Sequence, residues 1–161
     1  MPVSLIVLAA GMGTRMNSDL PKVLHKVAAA PLLHHALRAG SALAPEQVVV
    51  VTGHGADEVA RAALAHDDTV LTVLQEPQLG TAHAVAQAAP LLADATGDAI
   101  VLYGDTPFIR PETLEAMLAA RSAHEKTARA VRPRADCSRA LRRPDQLKKF
   151  FSRSVQLSPL G

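Results

Sequence analysis

Apolar positions along this chain fall into four short runs separated by longer stretches with a helical period. Val3 to Leu8 is short, apolar and closed by glycine-bearing sequence, which predicts a buried strand. Gln47 to Thr52 carries four consecutive valines, Val48 to Val51, and predicts a central strand buried on both faces. Val70 to Leu74 and Ala99 to Tyr103 read as two more strands of the same type. Between them, Pro31 suits the first position of a helix in which Leu32, Leu33, Ala36, Leu37 and Leu43 share a face. Further helices are expected over Ala56 to Ala65, His83 to Leu92 and Glu112 to Ala123, the last with Leu114, Met117 and Leu118 on one side. Strands alternating with helices imply a parallel sheet with right-handed crossovers, so the fold class is α/β. Ligands of such sheets bind beyond the carboxyl ends of the strands, where the chain leaves the sheet.

The segments just past the strand ends are therefore where binding chemistry is expected. After the first strand comes Leu8-Ala9-Ala10-Gly11-Met12-Gly13-Thr14-Arg15-Met16, and then Leu20-Pro21-Lys22. Gly11 and Gly13 let backbone N–H groups come close to a polyanion, and Arg15 and Lys22 supply the positive charge a triphosphate needs. A G-x-G pair alone marks ordinary turns as readily as nucleotide sites; its position after a strand and before two cations is what gives it weight. After the third strand stands Gln75-Glu76-Pro77-Gln78-Leu79-Gly80-Thr81-Ala82-His83, and after the fourth Gly104-Asp105-Thr106-Pro107. On the segment alone, Asp105 serves equally as a ligand for a hard cation and as an Asx-turn residue ahead of Pro107. Gln75 offers a donor and an acceptor, Gly80 a close backbone approach and Thr81 a hydroxyl or a helix cap.

Taken in order, these three segments resemble the sugar-1-phosphate nucleotidyltransferases, and within them the bacterial uridyltransferases that make UDP-N-acetylglucosamine. The resemblance runs from about Val3 to about Arg121. It implies a Rossmann-like nucleotidyltransferase fold and transfer of UMP from UTP to N-acetylglucosamine-1-phosphate with release of pyrophosphate. By the same resemblance Arg15 holds the leaving pyrophosphate, Lys22 bridges the α-phosphate and the attacking phosphate, and Asp105 ligates Mg²⁺. The backbone of Leu8, Ala9, Ala10 and Gly11 contacts uracil together with Gln75, Gly80 and Thr81; Gly13 and Thr14 belong to the phosphate loop, and Tyr103 and Gly104 line the sugar-phosphate side. Met12 stands where a cation is frequent in the family. The rivals are a nucleotidyltransferase of the same fold moving CMP or GMP, and a nucleotide-binding remnant without catalysis.

Composition narrows the setting. Tryptophan is absent and tyrosine occurs once, which leaves no stacking platform and argues against single-stranded nucleic acid as a partner. No apolar run approaches the roughly 20 residues of a membrane span, and Met1-Pro2-Val3 enters a strand without a charged leader, so a cytoplasmic protein is expected. Cys137 is the lone cysteine and excludes an intramolecular disulfide. The seven histidines show no zinc-helix spacing, so surface or capping roles are expected of them.

The net charge of +2 conceals two unlike parts. Residues 1–125 hold seven Lys and Arg against thirteen Asp and Glu, a balance of −6; residues 126–161 hold ten against two, a balance of +8. The second part crowds arginine and proline and loses apolar periodicity until Phe150-Phe151. A partial nucleotidyltransferase domain over 1–125 is therefore expected, followed by a basic tail over 126–161 of the kind a frameshift would produce. The asparagine that completes the metal site in the family and the acetyltransferase domain credited with its trimer have no counterpart here. The expectation is nucleotide binding with little or no uridyl transfer, and no trimer.

Overall fold

The computed structural model describes residues 2–11, 13 and 18–128, with side chains as far as residue 123. Thr14, Arg15, Cys137 and the basic tail beyond residue 128 lie outside the described residues. Among the described residues, strand β1 (Val3–Ala9) is followed by a 3-10 turn (Lys22–Leu24) and a short hairpin of β2 (Lys26–Val27) and β3 (Ala30–Pro31). Then come α1 (Leu32–Ser41), β4 (Gln47–Thr52), α2 (Ala56–His66), β5 (Leu71–Leu74), α3 (Thr81–Ala88), β6 (Asp98–Tyr103) and α4 (Pro111–Ala128). A further 3-10 turn (Ala89–Leu92) extends α3.

Four strands form one parallel sheet in the order β5-β4-β1-β6. On one face α1, α2 and α4 set Leu33, Ala36, Leu37, Val59, Ala63 and Leu114 against Leu5, Val7, Val48, Val50 and Leu102. On the other, α3 sets Ala84 and Ala88 against Ile6, Leu8, Val49 and Val51. The two clusters account for the unbroken apolar runs of β1 and β4, because every side chain of an interior strand meets a covered face. With so few aromatics, the helices approach the sheet on alanine, and the core is made of Val and Leu.

The expected elements are present, and the departures have plain causes. Neither β5 nor β6 is a strand buried on both faces: among the described residues they form the two sheet edges, with Leu71 39 %, Leu74 48 % and Tyr103 52 % exposed. An apolar run shows that a strand exists, but its neighbours decide whether it lies inside or at the edge. Met117, placed on the apolar side of the last helix, is 58 % exposed, while Leu114 and Leu118 do face the core. Pro31 ends β3 and precedes α1 rather than opening the helix. The β2–β3 hairpin was not anticipated, because its turn places Ala28 (φ 49°) and Ala29 (φ 66°) in the left-handed region where Asn and Gly ordinarily announce such turns.

Chain order and sheet order diverge at one place. From β1 the chain moves outward to β4 and β5, then returns under the sheet through α3 to lay β6 on the opposite side of β1. The register pairs Leu8 with Tyr103, Ala9 with Thr52, and Thr52 with Leu74. Loops after β1, β5 and β6 consequently leave the sheet at a single rim.

Candidate nucleotide-binding site

A cleft of about 540 Å³ opens at that rim. Its floor is Leu8, Ala10, Gly11 and Gly13; one wall is Gln75, Gln78, Gly80, Thr81 and Ala84; the other is Lys22, Val23, Tyr103 and Asp105. Segments 30 to 94 residues apart in sequence, at Gly11, Gln75 and Asp105, thus meet, as the topology requires.

Within the loop after β1 the two glycines differ in kind. Gly13 has φ +57°, and a Cβ there would come 2.8 Å from the Lys22 Cβ, so the loop crosses the base of the lysine only because the side chain is missing. Gly11 has no left-handed φ, and no described atom lies within 4 Å of where its Cβ would stand. Its bareness keeps the cleft floor open and serves no contact inside the protein. Gly80, with φ +96° and ψ −179°, holds a backbone conformation open essentially to glycine alone, and its carbonyl turns inward to Gln75.

Gln75 is 4 % exposed. Its main-chain N–H donates to the Thr52 carbonyl at 2.8 Å, prolonging the β4–β5 ladder by one step. Its Nε2 donates to the Gly80 carbonyl at 3.0 Å and lies 3.2 Å from His83 Nδ1, while His83 Nε2 lies 3.0 Å from the Gln87 amide. The glutamine is therefore the hub of a polar chain that shapes the loop before α3. Across the cleft, Lys22 Nζ donates to Asp105 Oδ2 at 2.7 Å, both side chains being partly open to solvent. A cation and a carboxylate held together at the mouth leave no net charge there until a ligand competes for one of them. The carboxylate engages the lysine across the loops, so a local turn before Pro107 does not consume it.

Placement of the remaining residues sharpens the expectations. Thr81 lines the cleft and is the first residue of α3, with Gly80 in the capping position. Tyr103 stands at the rim and is exposed. Ala9 and Gly104 are not part of the cleft surface: Ala9 turns its methyl into the helical core on the opposite face, and the Gly104 N–H donates to the Leu8 carbonyl at 2.9 Å. Gly104 acts by thinness, since a Cβ would sit 3.1 Å from that carbonyl oxygen and 3.3 Å from Val23. Gln78 and His83 had been given no part in the site by sequence. Gln78 lines the cleft with its amide 2.6 Å from where a Gly53 Cβ would stand, and only the folded loop reveals it. His83, expected at the surface or in a cap, is half-buried and bonded to Gln75. Among the described residues no cluster of three or more His, Cys, Asp or Glu is placed to hold a metal by itself, and no helix is long and apolar enough to cross a membrane.

A parallel sheet whose switch-point cleft joins a glycine loop, a lysine–aspartate pair and a buried glutamine defines a nucleotidyltransferase-type α/β domain. The chain belongs to the MobA-like NTP transferase domain family, which matches residues 5–153 and so extends past Arg121, where the resemblance in sequence ends. It is 76 % identical over 122 residues to the bifunctional protein GlmU of Cereibacter sphaeroides, 64 % over 123 residues to that of Dinoroseobacter shibae and 60 % over 118 residues to that of Paracoccus denitrificans. These alignments take in 73–76 % of this chain but only 26–27 % of the relatives, so it spans about a quarter of their length. Among solved structures, a nucleotidyl transferase from Methanothermobacter thermautotroptrophicus is similar at TM-score 0.62 and 26 % identity, over 73 % of this chain and 57 % of that one. UDP-glucose pyrophosphorylase complexed with UDP-glucose shares the fold at TM-score 0.65 and 19 % identity, over 78 % and 55 % of the two chains. A Mycobacterium tuberculosis protein solved with manganese is similar at TM-score 0.57 and 28 % identity, over 76 % and 61 %.

Proposed function

We propose that the cleft binds UTP and that the domain is built for transfer of UMP to N-acetylglucosamine-1-phosphate. The observation that carries this reading is the meeting of the three motif segments in one cleft, with the buried Gln75 on one wall and the Lys22–Asp105 pair on the other. Such a reaction joins two anions, so positioning and charge neutralisation do most of the catalytic work. Uracil lies against Leu8, Ala10 and Gly11, with Gln75, Gly80 and Thr81 at its edge; Lys22 turns from Asp105 toward the phosphates. Arg15 and Thr14, outside the described residues, complete the phosphate contacts.

Asp105 suits a divalent cation, taken here as Mg²⁺. Its carboxylate is a hard oxygen donor at the mouth, and Mg²⁺ bound with a nucleotide takes only one or two protein carboxylates beside phosphate oxygens and waters. The manganese-bound M. tuberculosis protein of the same fold supports a divalent metal in this family. The metal would neutralise phosphate charge during transfer. A cytoplasmic setting, where UTP is present, goes with this substrate. Residues 126–161, with their +8 balance, are proposed to be a basic segment that follows the 1–125 domain, its first three residues continuing α4.

Titration calorimetry with UTP, CTP and GTP tests the assignment. UTP is expected to bind most tightly, and Gln75→Ala to remove most of that preference. Equal affinity for the three nucleotides would refute the uridyl reading.

A further inference from the structure

We propose that His83 is a specificity-positioning residue: by accepting the second hydrogen of the Gln75 amide, whose first is held by the Gly80 carbonyl, it leaves only the amide oxygen to face the base, and so favours uracil over cytosine. The inference rests on the nucleotide reading above and adds to it a residue that touches neither base nor phosphate.

The argument is a count of donors and acceptors. Gln75 Nε2 lies within bonding distance of two groups, the Gly80 carbonyl at 3.0 Å and His83 Nδ1 at 3.2 Å. A carbonyl oxygen can only accept, so the amide end facing Gly80 must be the NH₂; the reversed amide would press two acceptors together. With one hydrogen committed to Gly80, the other is aimed at His83 Nδ1, which must carry a lone pair. A neutral imidazole has one acceptor nitrogen and one N–H. The proton therefore sits on Nε2; the structure sets the Gln87 amide nitrogen 3.0 Å from it, and two donors cannot face each other, so that amide is to be reversed with its oxygen accepting from the ring. Of the two amides flanking the imidazole only Gln87 is free to make that turn, because the Gly80 carbonyl locks Gln75. The chain runs Gly80 carbonyl, Gln75, His83, Gln87, with a donor facing an acceptor at each of its three links.

Its consequence lies on the cleft side. Both hydrogens of Gln75 are engaged inside the protein, so the function left to a ligand is Oε1, an acceptor. Uracil presents an N–H at ring position 3; cytosine presents a lone pair there, which an amide oxygen repels. Without the imidazole lone pair, the second Nε2 hydrogen has no partner in the protein and is left to be offered to cytosine, while the first stays on the Gly80 carbonyl. His83 thus sets the preference through Gln75.

UTP and CTP affinities of the unaltered chain, His83→Leu and His83→Gln, measured by calorimetry at neutral pH, test this. His83→Leu is expected to lower the UTP-to-CTP affinity ratio about tenfold, on the scale of one hydrogen bond to a base. His83→Gln, whose amide oxygen can accept from Gln75, is expected to restore the ratio to within a few fold. A folded His83→Leu chain that keeps the ratio overturns the proposal, as does one that loses UTP and CTP affinity equally, which is the mark of loop support alone. Should the leucine variant not fold, imidazole ¹⁵N shifts of the unaltered protein decide: a proton on Nε2 is expected, and a proton on Nδ1 overturns it. An unaltered chain with no preference for UTP overturns the uridyl reading itself and this inference with it, whereas a preference that survives His83→Leu overturns only the part given to His83.

Discussion

Replacing Gly11 and Gly13 separately by alanine separates the requirements of the ligand from those of the fold. At Gly13 the new methyl carbon would stand 2.8 Å from the Lys22 Cβ, where carbon atoms ordinarily keep about 3.5–4.0 Å. The loop and the 3-10 turn must part by about 1 Å, and a left-handed φ costs an alanine about 1–2 kcal/mol besides. A loss of about 2 kcal/mol in stability is expected, with Lys22 displaced by the same ångström. Displacements of that size in a site can cost about 100-fold in function. At Gly11 no described atom lies within 4 Å of the added methyl and φ is unstrained, so stability should stay within about 0.5 kcal/mol. Gly11 nevertheless lines the cleft floor, so with a methyl added there UTP affinity should fall at least tenfold. Chemical denaturation and calorimetry on the two variants read stability and binding independently. A Gly11→Ala chain that binds UTP as tightly as the unaltered chain would falsify the placement of the nucleotide against this loop; an unchanged stability in Gly13→Ala would show that the loop is not held against Lys22.

Asp105→Ala removes the carboxylate 2.7 Å from Lys22 Nζ, so UTP should bind more tightly in the absence of divalent cations, and added MgCl₂ should improve affinity less than it does for the unaltered chain; the same MgCl₂ response in both proteins would remove Asp105 from the metal site. Asp98 is buried at the start of β6 and pairs with Arg121 of α4 at 2.8 Å, the arginine being half exposed. Arg121→Ala should cost about 1–2 kcal/mol in denaturant unfolding, below the range for fully buried pairs because solvent screens the exposed partner, and a loss under about 0.3 kcal/mol would contradict it. His66 stacks against His34 at 5.0 Å between ring centroids, and burial first, then the charges of His34 and Arg38, hold its pKa below the ordinary 6.5 against the opposing pull of Asp67. The unfolded chain therefore takes up the proton first as pH falls, so stability should be full above about pH 6.5 and decline below it through the folded pKa; melting temperatures at pH 7.5 and 5.5 should differ less in His66→Leu, and an identical difference would clear His66 of the effect.

What the sequence determined by itself is the alternation of elements and the chemistry at the strand ends. A run such as Val48 to Val51 has few conformations other than an interior strand, because only there can consecutive β-branched side chains all leave water. Helical spacing placed Leu33, Ala36 and Leu37 on a buried face for the same reason. The glycine loop, Lys22, Gln75, Gly80 and Asp105 were legible because each lies just past a strand, and parallel sheets gather their loops at one rim. Long-range position decided the rest. Edge or interior depends on which strand comes to lie alongside, so β5 read as buried and is not. The alanine turn between β2 and β3 carries no local mark, since the fold around it imposes a left-handed backbone that alanine would not choose. Gln75 was legible as an amide just past a strand end, but its hydrogen-bond allegiance was not: the Gly80 carbonyl and His83 reach it only after the loop before α3 has closed, and a donor count has no meaning until the partners are in contact.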